Sequence, residues 1–188
     1  MKRIMISIKP NWVQKLMAQE KWLECRKNKA LRKAIEKEIK EKGKAKILVY
    51  CTKWDRGLTN TLVKLKNGEF RIMRNTEELV DKAFEIERAG YNGTVVGYLI
   101  ITHVYNVYCY HAKDDRDDLD DTYYIEKNAL DDEEMGTNTY LEEGSCLSQS
   151  ALYDYYGGKN GYALYVSEFE IFDKPKEFKE FKKTSLDC

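Results

Sequence analysis

The sequence predicts an α+β fold: a small mixed β-barrel of about five to seven strands, with peripheral helices and an inserted hairpin. Three observations predict it. Stretches with the two-residue period of half-buried strands, or continuous apolar runs, recur from Ile4 to Phe172. Helical stretches fall between them without the regular strand–helix alternation of a doubly wound sheet. Asn67-Gly68, flanked by the apolar runs Leu62–Leu65 and Phe70–Met73, is the best hairpin signal in the chain.

Ile4, Ile6 and Ile8 alternate with other residues as on a half-buried strand. Pro10 then opens a helix at a position where its missing N–H costs nothing, and Trp12, Val13, Leu16 and Met17 follow at helical spacing. In the next strand Lys21, Leu23 and Cys25 take one side and Trp22, Glu24 and Arg26 the other, so Glu24 and Arg26 project together.

Asn28 to Lys42 reads as a helix with the thin apolar stripe Leu31, Ile35, Ile39, ended by Gly43. Its outer face, Lys29, Arg32, Lys33, Lys37 and Lys40, is basic: solvated, or a surface for phosphate. Lys46 to Thr52 is a strand apolar enough to be buried on both faces. Lys53 to Gly57 is a turn in which Trp54, beside Lys53 and Arg56, is a stacking candidate.

After the hairpin, Asn75 and Glu78 form a capping-box pattern for a helix running to Gly90, with Leu79, Val80, Ala83, Phe84 and Ile86 as its apolar face. Gly93 to Val107 is a long β region, and Gly97 within it predicts a bend or bulge. Residues 113–144 read as an irregular acidic loop. Their aspartate run lacks the glycine and glutamate of a calcium loop. Ser148 caps a short helix, Gln149 to Tyr156. The last strand runs Tyr162 to Phe172, is ended by Pro175, and leads into a charged tail anchored by Phe178 and Phe181.

The whole, residues 1–188, reads as a single domain elaborated at about 28–44 (charged helix), 53–92 (hairpin plus helix) and 113–144 (acidic loop). No apolar run is long enough to span a membrane and no signal-peptide pattern follows Met1, so a cytoplasmic protein with no membrane partner is expected. Five cysteines without a C-x-x-C pair, and two histidines eight apart, predict neither a disulfide framework nor a metal site. Nothing calls for a cofactor. The net charge of zero hides an asymmetry: residues 1–50 carry 15 Lys/Arg against 5 Asp/Glu, and residues 114–143 carry 13 Asp/Glu against 2 Lys/Arg. A nucleic-acid face beside an acidic segment fits that pattern, and so do two solvated faces.

The sharpest constellation is Lys21, Glu24 and Arg26. Arg26 offers a planar fork for phosphate or carboxylate, Glu24 can accept from a base amino group, and Lys21 can hold phosphate or act as a base. A structural ion pair is the other reading of this spacing. The 14 tyrosines, many of them late in the chain, suit either stacking on bases or the filling of strand faces. Cys51 and Cys146 read as small buried hydrophobes.

Ser7-Ile8-Lys9-Pro10, then Lys21, Glu24 and Arg26, resembles the "S-I-[KR]-P … G-x-K-x-x-E-x-R" opening of ASCH domains, relatives of the PUA fold. Gly161-Tyr162-Ala163 through Asp173-Lys174-Pro175-Lys176-Glu177-Phe178 is similar to the closing motif of the same proteins. Tyr50-Cys51-Thr52-Lys53, Gly93 to Gly97 and Ser145 to Ser148 extend the match over nearly the whole chain, most closely to ASCH-type proteins of phages and prophages of Gram-positive bacteria. The chain departs at the usual glycine, where it has Gln19 or Glu20. The resemblance implies a PUA-like barrel whose cleft, lined by the two motifs, holds RNA or a modified nucleotide; Ser7, Lys9, Lys21, Glu24, Arg26, Lys53 and Trp54 are the binding candidates.

The same resemblance carries a hydrolase alternative. Some ASCH members remove acyl groups from N4-acylated cytidine, and their general-base lysine corresponds to Lys21. Their threonine nucleophile corresponds to Glu24, which has no hydroxyl; their second acidic residue falls near Glu142 or Glu143. Ribonuclease activity, with Lys9, Lys53, Tyr50 and Ser148 as parts, is a further version. A third reading is a phage-type interaction protein that modulates a host factor through its acidic segment.

Overall fold

The computed structural model describes residues 3–53, 61–74, 76–110, 122–126, 137–181 and 185–186. In chain order these form β1 (Arg3–Ile8), α1 (Pro10–Met17), β2 (Leu23–Arg26), α2 (Lys29–Lys42), β3 (Ala45–Cys51), β4 (Thr61–Leu65), β5 (Phe70–Met73) and α3 (Thr76–Asp81). β6 (Ile86–Arg88), β7 (Thr94–Tyr110), β8 (Thr122–Ile125), α4 (Thr137–Ser145), α5 (Gln149–Tyr156), β9 (Gly161–Glu177) and β10 (Ser185–Leu186) complete them. The chain divides into two compact units, residues 1–20, 46–100 and 168–188 in one, and residues 21–45 and 101–167 in the other. The long strands β7 and β9 contribute residues to both.

In the first unit β1 pairs in parallel with β3, matching Ile4 to Ile47 and Ile8 to Cys51. The parallel pairing accounts for the near-continuous apolarity of β3, since such strands are usually covered on both faces. Met5, Leu48, Val95 and Phe181 form the core beside it. Gly97 is explained here by space. A Cβ at this position would lie 2.2 Å from the backbone oxygen of Glu170, so β9 approaches too closely for a side chain. A small sheet, β5-β4-β6, closes over Val63, Leu65 and Met73. Its Asn67-Gly68 hairpin forms as expected, with Gly68 at φ 89.

In the second unit β2 runs antiparallel to β9, placing Glu24 opposite Leu164 and Arg26 opposite Tyr162. β8 runs antiparallel to β7, with Val107 opposite Ile125. Leu23, Cys25, Val107, Leu141, Leu152 and Ala163 meet in one buried cluster, to which α4 and α5 contribute. Asn28 caps α2 by accepting from the N–H groups of Ala30 and Leu31, and Gly43 ends it in the left-handed conformation.

Several expectations are corrected. The fold is mixed α+β, but the described strands of neither unit close into a barrel. The helix expected up to Gly90 stops at Asp81; a 3₁₀ turn follows, and Ile86–Arg88 is a strand that pairs with β4. Of the expected apolar face, Leu79 and Ile86 pack against the Val63, Leu65 and Met73 cluster, Ile86 from the strand paired with β4, whereas Val80 and Phe84 are 68% and 71% exposed. The last strand does not end before Pro175 but continues to Glu177. Within 113–144, the described parts are regular: β8 and α4. Asn75, Trp54 and most of the acidic stretch lie outside the described residues.

Candidate functional site

Lys21, Glu24 and Arg26 come together in the second unit. Lys21 stands just before β2 and is only 4% exposed. Its Nζ donates to the backbone carbonyl of Ser145, at the end of α4, at 2.8 Å, and lies 3.6 Å from Glu24 Oε2. Arg26 Nη2 meets the other carboxylate oxygen, Oε1, at 2.8 Å. Glu24 is thus a buried carboxylate, 7% exposed, with a cation on each oxygen. Each oxygen keeps further lone-pair capacity, since an ionised carboxylate has about four acceptor sites. Arg26 retains about a fifth of its side-chain exposure (21%) and is the open side of the trio.

The backbone holds this arrangement from both sides of β2. The Trp22 N–H donates to Gly144 O at 3.0 Å, and Val166 N–H donates to Trp22 O at 2.9 Å. Gly144 permits the contact, since a Cβ there would lie 2.7 Å from Leu23 and Trp22 side-chain atoms. The Tyr155 hydroxyl donates to Cys25 O at 3.1 Å. Burial pushes the Tyr155 phenol up, with the Arg26 charge pulling the other way. Burial likewise raises the Cys25 thiol against the opposing pull of Lys21, so Cys25 is an inert core residue.

The second unit also holds an aromatic group, packed against the Leu23 and Cys25 cluster, that the spacing of the sequence did not single out. Trp22 meets Tyr140 edge-on with centroids 6.2 Å apart, and Tyr105 meets Tyr140 and Tyr165 at 6.4 and 6.3 Å. His103 stacks on Tyr105 at 6.2 Å. The available signal was alternation: His103 and Tyr105 share one face of β7. What α4 brings, Tyr140, had no such signal, because 113–144 carries no strong period.

Ser7, Lys9 and Lys53 belong to the first unit, and all three are exposed. Lys9 precedes α1, and its carbonyl accepts from Trp12 and Val13, so Pro10 opens the helix as its position implies. Tyr50 packs edge-on against Phe178, Ser148 caps α5, and Glu142 accepts from the Gln149 N–H at 2.9 Å. Gln19 stands where the resemblance expects glycine, and it adopts φ 59, the left-handed conformation that glycine favours.

No protein-family model, curated protein or solved structure matches the chain. Among the described residues no three His, Cys, Asp or Glu side chains are placed to hold a metal ion, and no helix is long and apolar enough to cross a membrane.

Proposed function

We propose that the chain is a nucleic-acid-related binding module of the ASCH type, PUA-like in fold, that holds RNA or a modified nucleotide through Glu24 and Arg26. The buried, doubly clamped carboxylate of Glu24 carries this reading. A buried ion network is a poor way to gain stability, because desolvation offsets most of the Coulomb gain. It is a good way to fix the direction of a carboxylate that accepts from a base amino group. Arg26, partly open, supplies the fork for a phosphate. The half-buried rings of Trp22, Tyr105, Tyr140 and Tyr165 supply stacking surface in the same unit.

Lys21 is a positioning residue in this reading, because its Nζ is engaged by the Ser145 carbonyl and Glu24. That favours binding over the hydrolase alternative, in which the same nitrogen must face a reacting group. The test is fluorescence anisotropy with a labelled single-stranded RNA and with N4-acetylcytidine as competitor. Arg26→Lys keeps the charge but removes the planar fork, and it is expected to weaken binding about tenfold, the effect of one charge-assisted hydrogen bond. An Arg26→Lys protein that is folded by circular dichroism and binds like the parent refutes the reading.

A further inference from the structure

We propose that the outward face of α2 is a track for the sugar–phosphate backbone of the nucleic acid held at Glu24 and Arg26; this rests on the binding-module reading above. The helix buries Leu31 and Ile35. Opposite them, at spacings of four, four and three residues, stand Lys29, Lys33, Lys37 and Lys40, all exposed. At about 1.5 Å rise per residue the row is about 17 Å long.

The distribution of the acids distinguishes this face from an ordinary solvated one. Alternating signs along a helix face mark a solvent-exposed surface laced with salt bridges. Here the three glutamates of α2 lie to the sides of the row. Glu36 is held by Arg32 at 2.6 Å, and Glu38 by Lys42 at 2.7 Å. Glu41 reaches only the edge of the row, 3.8 Å from Lys37. Lys29, Lys33 and Lys40 make no ion pair with any described residue. Arg32, expected from the sequence to join the basic face, turns away instead. It donates to Asn106 Oδ1 at 2.7 Å and lies over the Tyr162 ring at 5.8 Å. The free pole is therefore purely lysine: point charges that follow a phosphate chain without reading sequence.

The row also begins where the candidate site ends. Arg26 closes β2, Asn28 caps α2 and Lys29 is its first residue. Site and row belong to one unit. A strand that presents a base to Glu24 has its neighbouring phosphates within a few residues of the first lysine.

The test titrates the full chain with a fluorescein-labelled single-stranded RNA of mixed sequence over a series of NaCl concentrations. The variants are Lys29→Gln/Lys33→Gln/Lys40→Gln and, as an equal-charge control, Lys66→Gln/Lys174→Gln/Lys179→Gln on exposed positions of the other unit. Each phosphate contact on a single strand adds about 0.7 to the slope of log affinity against log salt, so the α2 variant is expected to lose about 2 from that slope. The control is expected to lose much less. An unchanged slope in the α2 variant, or an equal loss in the control, overturns the proposal. If Arg26→Lys weakens binding while the α2 variant keeps the parental slope, only the backbone track fails. If the parent binds no RNA at any salt, both readings fall.

Discussion

Replacing Lys21 by methionine separates a buried ion network from a solvated ion pair. The side chain is 3% exposed, and its Nζ serves both the Ser145 carbonyl and the Glu24 carboxylate. Methionine roughly fills the space and removes both contacts. An orphaned buried carbonyl costs about 1–3 kcal/mol, and breaking a buried ion pair costs about 3–5 kcal/mol. Glu24 keeps Arg26 at 2.8 Å, which limits its share. The expected loss is therefore at the lower end, about 3 kcal/mol. For a chain of this length that corresponds to roughly 6–12 °C in Tm. The comparison is Lys37→Met on α2, whose exposed partner Glu41 is 3.8 Å away; it is expected to cost about 0.5 kcal/mol or less. Urea unfolding of the two variants, of Glu24→Met and of Lys21→Met/Glu24→Met measures the difference. The double variant replaces the whole pair by apolar groups and is expected to recover about 1–3 kcal/mol relative to the sum of the single changes. If Lys21→Met costs no more than Lys37→Met, or if the double change is strictly additive, Lys21 and Glu24 are not a coupled buried pair.

Four further outcomes are expected. Gly97→Ala places a Cβ 2.2 Å from Glu170 O, so it is expected to destabilise by about 3 kcal/mol or more through overpacking against backbone, read as a lower urea midpoint. Gln19→Gly relieves a left-handed φ of 59 and is expected to raise stability by up to about 1 kcal/mol, part of the gain being lost to the freer unfolded chain; a lower Tm contradicts this. Burial pushes the Cys51 thiol from 9.0 up to about 12. Below pH 9 folded and unfolded thiols are both protonated; from there towards about pH 12 only the unfolded one ionises, so stability falls as pH rises. This alkaline decline is expected to be shallower in Cys51→Ala. At neutral pH, iodoacetamide followed by peptide mapping is expected to leave Cys25 and Cys51 unmodified while the half-buried Cys146 reacts.

The local elements were legible because local chemistry decides them. Pro10 opens α1, Asn28 and Gly43 bound α2, Asn67-Gly68 turns the hairpin and Ser148 caps α5, each where the sequence predicts it. Caps and turns depend on residues three or four apart, and those neighbours are in the sequence itself. The Glu24–Arg26 pair was legible for the same reason, since alternation in a strand sends both to one side; it sent Lys21 to the other, and Lys21 reaches Glu24 from its place just before β2.

Tertiary contacts decided the rest. The helical spacing after Thr76 lost to strand pairing with β4, which no local signal announces. Gly97 is required by the approach of β9, some seventy residues away in the chain, and not by its own dihedral angles. Above all, the environment of Lys21 comes from Ser145, at the end of a helix in a stretch that reads as loop. Spacing alone left a structural ion pair and a ligand site as the two readings of Lys21, Glu24 and Arg26. Only the packing of α4 against β2 takes water away from the lysine and carboxylate while leaving the arginine partly open, and desolvation, a property of everything around a charge, is what a linear sequence does not contain.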